Sequence, residues 1–414
     1  MSTPAPRPRW FLPPLARAPL ATLLLLVACD PGSRSPTGPE APEAPDLAAQ
    51  AARNAPDGYI VVFKPEVKDP RGAARRLAER EQAELRHTYA RGLPGFSARM
   101  PAAAARRLAA DPQVAYVEPN RIVRAFAAPT VQTPVGWNLD RIDRHPAKLD
   151  GRYGYTSTGA GVTVYVLDSG WGGEESEMSG RIVTIANFSG DATEDDLAGH
   201  GTHTTGTLAS ASYGVAKGAA VRMVKVLDQS ASTTMESLLL ALSLVIEDHE
   251  FVGGPAVANL SLGTERSQAL NDAVTAVVAA GITVVVAAGN DGIDACNASP
   301  ASAPAVLTVA ASDRNDRAAA FSNYGPCVDL FAPGVDILST WTYVYGPSAA
   351  LASGTSSAAP HVTGAVARYL SLNPTASPAA VTAAILGKTS DNAITLSKLA
   401  KKTPNRLLYI DPSR

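Results

Sequence analysis

A chain of 414 residues with 46% hydrophobic and 18% charged side chains can bury a large core, enough for one big domain and a smaller one. The formal net charge is −2 and no long basic run appears, which excludes a nucleic-acid partner recognised by charge.

At the N-terminus, Arg7, Arg9 and Arg17 precede an apolar stretch, residues 20–28, that is too short to span a bilayer. Residues 1–29 therefore read as an export signal. Its end, Leu26, Val27, Ala28, Cys29, resembles a bacterial lipoprotein signal, which implies lipidation of Cys29 and a membrane-anchored precursor. The alternative is an ordinary secretory signal with an incidental cysteine. Residues 30–56 carry Pro31, Pro36, Pro39, Pro42 and Pro45 and almost no large apolar side chains, the composition of a disordered linker. Of the three cysteines, Cys296 and Cys327 can pair in an oxidising compartment, leaving Cys29 as the odd one; two buried free thiols are the other reading.

Residues 57–124 form a small module. Residues 59–63 are β-rich, 71–86 read as a charged helix, 86–89 as a short strand, 95–100 alternate with Phe96, Ala98 and Met100 on one face, 102–110 are alanine-rich and helical, and 114–117 are a strand. The order βαββαβ predicts a ferredoxin-like α+β arrangement. From Gly159 onward strand and helix alternate. Strands are expected at 162–167, 221–227, 257–262, 282–287 and 306–310, all mostly continuous apolar runs. Helical patterns fall at 202–210, 237–249, 268–280, after Gly354, and at 378–386. Continuous apolar strands suit a parallel sheet covered on both faces, so residues 129–414 are expected to form an α/β, doubly wound parallel sheet flanked by helices, with its site at the C-terminal strand ends.

Three strand ends carry polar residues. The first closes on Asp168, Ser169, Gly170, and a carboxylate after an apolar run needs a partner. Next, Gly199, His200, Gly201, Thr202, His203 stand before a helix, where a glycine-flanked imidazole can reach another side chain as a general base. The H-x-x-H spacing of His200 and His203 also fits a metal, but no HExxH glutamate and no nearby cysteine accompany it. The fourth strand ends in Ala287, Ala288, Gly289, Asn290, whose amide can donate to an oxyanion. Near the C-terminus, Gly354 to His361 reads GTSSAAPH ahead of an apolar run. Gly354 permits close approach, Ser353 or Thr355 can cap the helix, and Pro360 is expected in the first turn. Ser356 then sits at the positive helix end, as a nucleophile or as part of a plain capped start.

Asp168 in DSG, His200 in HGTH, Asn290 in AAGN and Ser356 in GTSSAAP, in the order Asp, His, Ser, resemble the subtilisin-like serine proteases, most closely the proteinase K branch. The similarity covers nearly all of residues 130–414. It implies Ser356 as nucleophile, His200 as general base, Asp168 as the group that orients the imidazole, and an oxyanion hole from the Asn290 amide and the Ser356 N–H. Ser261, Leu262 and Gly263 match the family's substrate strand, which pairs with extended peptides, and the loop near 230–232 would supply a second wall. Cys296 and Cys327 match positions that are disulfide-bonded in aqualysin-like relatives. Pro304, Val306 and Asp329 match a structural calcium site of two carbonyls and a carboxylate. The module at 57–124 resembles the subtilisin propeptide, an intramolecular chaperone and inhibitor, with self-cleavage expected between residues 124 and 130.

The departures are Ser357 where the family usually has Met, HTT where HVA is common, and Thr264 where proteinase K has glycine; they bear on the pocket and remove no catalytic group. The expected protein is thus a secreted serine endopeptidase made as an autoprocessed zymogen, with extended polypeptides and its own propeptide as partners, a monomeric mature domain and no catalytic cofactor. A catalytically silent peptide-binding lipoprotein, or an esterase or ligase sharing the acyl-enzyme step, are the rival classes.

Overall fold

Period-2 alternation builds the N-terminal unit. Val61 and Phe63 on strand Asn54–Phe63 and Phe96 and Ala98 on strand Gly95–Arg99 turn to one face, where helices Pro70–Arg80 and Ala102–Ala109 cover them with Ala74, Leu77 and Leu108. The computed structural model describes residues 54–89, 94–121, 130–145, 148–344, 348–396 and 402–413; the expected signal, Cys29, most of the linker and residues 122–129, which include most of the expected cleavage segment 124–130, lie outside them. The four-stranded antiparallel sheet has the spatial order Glu84–Tyr89, Gly95–Arg99, Asn54–Phe63, Val114–Arg121. The first helix stops earlier than expected from its charge pattern: the chain turns at Gln82, φ 53°, and residues from Glu84 join the sheet instead.

In the large unit a nine-stranded sheet runs in the order Ser390–Asp391, Arg406–Leu407, Leu330–Pro333, Leu307–Ser312, Thr283–Ala287, Ala256–Leu260, Thr163–Asp168, Ala220–Lys225, Ile182–Asn187. The pairing is parallel throughout except between the two short C-terminal strands. Alternation sorts each strand between two cores. Val164 and Val166 pack with the layer of helices His200–Ala209, Thr355–Leu372 and Pro378–Leu386, while Tyr165 and Leu167 pack with Met235–Val252 and Gln268–Ala279 on the other face. Burial of each such side chain contributes about 1.5–3 kcal/mol, which is why both faces of the sheet are apolar.

Topology then decides where the site falls. From Thr163–Asp168 the chain first fills the Ile182–Asn187 side and afterwards crosses to Ala256–Leu260 on the other side. Such a reversal leaves a crevice at the carboxyl ends of the central strands. Asp168 closes the first of these strands, and residues 288–290 follow the strand Thr283–Ala287.

Candidate active site

Asp168 is 0% exposed, and its Oδ1 accepts from the Ser169 N–H at 2.8 Å and from His200 Nδ1 at 2.7 Å. A carboxylate can only accept here, so His200 carries its proton on Nδ1 and leaves Nε2 as the basic nitrogen. Burial opposes protonation of His200, but the charge of Asp168 and its hydrogen bond outweigh it, and the pKa lies above the ordinary imidazole value. His200 is itself the first residue of helix His200–Ala209 and not a residue ahead of it.

Two buried groups that the motifs did not flag hold this pair. Asp196 accepts from Ser169 Oγ at 2.8 Å, the Gly199 N–H at 2.8 Å and the Thr202 N–H and hydroxyl at 2.8 and 2.7 Å, so one carboxylate fixes the start of the His200 helix against the Asp168 turn. Lys225 donates to the carbonyls of Ser169 at 2.9 Å and Asp195 at 2.7 Å and pairs with Asp191 at 3.0 Å. Signals for both were available: an aspartate just ahead of a helix can satisfy its orphan N–H groups, and a lysine inside an apolar strand run needs buried partners.

Asn290 makes the cap of the helix that carries Ser356. Gly354 is the N-cap of Thr355–Leu372 and no side chain of its own segment caps it, contrary to the expectation for Ser353 or Thr355. Asn290 Oδ1 instead accepts from the Thr355 N–H at 2.8 Å and the Thr355 hydroxyl at 2.9 Å. With the oxygen so engaged, Nδ2 faces the other way: a methyl group built on Gly354 would lie 2.8 Å from Ser356 Oγ and 3.3 Å from Asn290 Nδ2. The small residue at 354 therefore keeps open the gap between hydroxyl and amide.

Pro360 lies beyond the first turn, inside the helix. A proline there withholds the N–H that would bond the carbonyl four residues earlier, that of Ser356. Ser261 Oγ takes the vacancy, donating to the Ser356 carbonyl at 2.9 Å while accepting from Asn259 Nδ2 at 3.0 Å; Asn259 Oδ1 in turn accepts from the Thr363 hydroxyl at 2.7 Å. The helix break is thus repaired by the segment that carries Leu262 and Gly263.

His200, Asn290, Ser356 and residues 261–263 line one cavity of about 400 Å³, with Ala288, Ala301 and Thr264 also in its lining. The 230–232 turn, organised by hydrogen bonds to Asp228 Oδ1, is not among its walls. His203 bonds the Ile337 carbonyl at 2.9 Å, and burial lowers its pKa to about 4, so the two imidazoles of H-x-x-H have separate partners. His361 is buried between Asn138 Nδ2 at 2.8 Å and the Ser357 carbonyl at 2.9 Å, and burial lowers its pKa to about 4. Cys296 and Cys327 are joined in a disulfide. Asp329 faces strand Leu307–Ser312, just after Pro304 and Val306: its Oδ2 accepts from the Thr308 N–H at 2.8 Å, and burial raises its pKa against that bond and the charge of Arg406.

A parallel α/β sheet with a carboxylate-held imidazole, a serine hydroxyl and a capping amide around one cavity defines a serine hydrolase. Comparison with known proteins narrows the class. Residues 159–407 match the model of the subtilase family, and residues 58–126 match that of the peptidase inhibitor I9. An extracellular serine proteinase of Thermus sp. (strain Rt41A) is 42% identical over 411 residues, covering 94% of this chain and 97% of that one. The alkaline serine exoprotease A of Vibrio alginolyticus is 36% identical over 85% of this chain and 67% of its own length. The crystal structure of a cold-adapted subtilisin-like serine proteinase superposes with a TM-score of 0.63 at 40% identity, covering 67% of this chain and 98% of that one. The chain belongs to the subtilase family and is a serine endopeptidase preceded by an I9-type propeptide domain.

Proposed function

We propose that this protein is a secreted endopeptidase made as a zymogen and activated by its own Ser356. The observation that carries the reading is the 2.7 Å bond from His200 to the buried Asp168 at the wall of a cavity shared with Ser356 and Asn290. His200 Nε2 takes the hydroxyl proton as Ser356 Oγ bonds to the carbonyl carbon of the substrate. The carbonyl electron pair moves onto oxygen, where Asn290 Nδ2 and the Ser356 N–H receive it. The proton then passes from His200 to the leaving nitrogen as the C–N bond breaks. Water repeats the sequence on the acyl-enzyme, and the imidazole keeps its tautomer through Asp168. Residues 261–263 present backbone to an extended peptide, so the substrate is a polypeptide segment without secondary structure.

The inhibitor module supplies the zymogen logic. A propeptide covering residues 57–124 ahead of a catalytic domain at 129–414 is cut between residues 124 and 130, which separates the enzyme from Cys29 and any lipid attached there. Ser356→Ala is expected to accumulate as the full precursor; normal processing of that variant would sink the assignment of the nucleophile.

A calcium ion would be held by Asp329 with the carbonyls of Pro304 and Val306. Asp329 fits the role, since burial raises its pKa and a hard cation would favour the carboxylate form. Bound there, the ion would brace the chain ahead of strand Leu307–Ser312. Chelator should lower the melting temperature of the wild type and leave that of Asp329→Asn unchanged; equal shifts in both would refute the site.

A further inference from the structure

Residues 288–293, which carry Asn290, lie outside helix and strand, yet the proposed oxyanion donor within them must be held to a fraction of an ångström. One buried residue from a distant part of the chain, Asn323, 1% exposed, grips this loop on both sides of Asn290. On the near side its backbone N–H donates to the Gly289 carbonyl at 2.9 Å and its Nδ2 donates to the Ala288 carbonyl at 2.8 Å. On the far side its Oδ1 accepts from the N–H groups of Asp291 and Ile293, each at 3.1 Å. The amide orientation is fixed by these partners: a flipped Asn323 would set its NH2 against two N–H groups and its oxygen against a carbonyl.

The fit is mutual. Gly289 has φ +101°, and a methyl group there would lie 2.3 Å from Asn323 Nδ2, so glycine is needed both for the backbone and for the approach of Asn323. Backbone bonds from Gly292 to the Phe321 carbonyl at 2.9 Å and from Tyr324 to the Ile293 carbonyl at 3.0 Å tie the same two segments together without any side chain. These two act beyond Asn290; before it the Asn323 N–H holds the Gly289 carbonyl and Thr355 Oγ1 accepts from the Gly289 N–H at 3.1 Å, while the grip on the Ala288 carbonyl belongs to the Asn323 side chain. Asn290 therefore meets Thr355 through its oxygen and turns Nδ2 to the cavity from a backbone that Asn323 has already shaped.

We propose that Asn323 is a positioning residue of the oxyanion hole: it touches no reacting atom and acts by fixing the backbone of residues 288–293 around Asn290. This rests on the reading of Asn290 as oxyanion donor. The test is a double-mutant cycle on full-length chain matured in trans by wild-type enzyme, with kcat and KM for a peptide amide and the Kd of a peptide aldehyde, whose adduct places an oxyanion in the hole. Asn290→Ala alone is expected to lower kcat by about 10²–10³-fold. Asn323→Ala is expected to lower kcat and aldehyde affinity together by about 10–10²-fold with KM within about twofold. In the Asn290→Ala background the same change should cost less than about twofold.

A kcat within about threefold of wild type for Asn323→Ala, or an equal loss in both backgrounds, would overturn the proposal and leave the oxyanion reading of Asn290 standing. An Asn290→Ala variant within about threefold of wild type overturns that reading and this proposal with it. Where Asn323→Ala does not fold, Asn323→Ser, which keeps the backbone bond and a small polar side chain, carries the same cycle.

Discussion

Replacing Asp168 by asparagine separates what the carboxylate does by charge from what it does by shape. In the wild type, burial disfavours the charged form of His200, yet its pKa lies above the usual value because Asp168 outweighs that penalty by charge and by its 2.7 Å bond. Asparagine removes the charge and keeps the volume, so burial then dominates and the pKa of His200 falls. In the proposed mechanism His200 acts with Nε2 unprotonated, so the rising limb of kcat/KM against pH is expected to move to lower pH in Asp168→Asn. The plateau falls as well. An asparagine that turns its NH2 toward Nδ1 drives the imidazole into the tautomer protonated on Nε2, which cannot accept the serine proton; the corresponding loss in a serine protease triad is about 10⁴-fold. An asparagine that keeps its oxygen on Nδ1 buries an NH2 where Asp168 Oδ2 now has no hydrogen-bond partner among the described residues. The assay is hydrolysis of a chromogenic peptide amide from pH 5 to 10. A limb that stays in place or moves to higher pH, or a plateau within about tenfold of wild type, would refute the account. Linkage gives a companion sign: because the folded pKa is raised, the pair stabilises the fold fully below the unfolded imidazole pKa and loses that contribution as pH rises through the folded value. The enzyme therefore works at a pH where the charge-dependent part of this interaction no longer adds to its stability, while the neutral Nδ1–H bond to Asp168 remains.

Gly354→Ala should fold and lose most of its kcat, since the added methyl would sit 2.8 Å from Ser356 Oγ; wild-type turnover by the folded variant would contradict the geometry. His361, with a pKa of about 4 against 6.5 in the unfolded chain, contributes stability present above pH 6.5 that is lost as pH falls toward 4, about 3 kcal/mol in all. Denaturant unfolding of His361→Gln should be correspondingly less sensitive to that acid range, and an unchanged pH slope would reject the assignment. Loss of the Cys296–Cys327 bond, which closes a separation of 31 residues, should cost about 4 kcal/mol in the chain-entropy view; a Cys296→Ser/Cys327→Ser variant with an unshifted melting temperature would count against it.

Much of the fold was legible because its strands are near-continuous apolar runs punctuated by glycine, and the doubly wound architecture and subtilase membership are borne out. The expected strand at 162–167 lies one residue ahead of the observed Thr163–Asp168, and the expected helix at 378–386 coincides with Pro378–Leu386. Strand Ile182–Asn187 has no period-2 pattern of polar and apolar residues to mark it, and Leu330–Pro333 is too short to rise above its surroundings. Asp168, His200, Asn290 and Ser356 stood out because each is polar at the end of an apolar or small-residue segment. Asp196, Lys225 and Asn323 did not, since each earns its place through partners far away in sequence, which no local pattern encodes.

The most instructive error concerns Pro360. Read locally, a proline after a cap belongs in the first turn, where it costs nothing; found further in, it strips the Ser356 carbonyl of its helical donor. A fully buried carbonyl without a partner costs about 1–3 kcal/mol; the Ser356 carbonyl is part-buried, and the Ser261 hydroxyl offsets its share of that cost by bonding it at 2.9 Å. The consequence of breaking the local rule at Pro360 thus falls on the carbonyl of Ser356, the proposed nucleophile. The repair joins residues 261–263, the proposed peptide-binding segment, to that residue's own backbone. Through Asn259 and Thr363 the same contact returns to the helix two turns along, closing a ring of hydrogen bonds around the strand end. The local rule fails here because the donor that repairs the helix lies 95 residues away in sequence, on the segment proposed to bind the peptide.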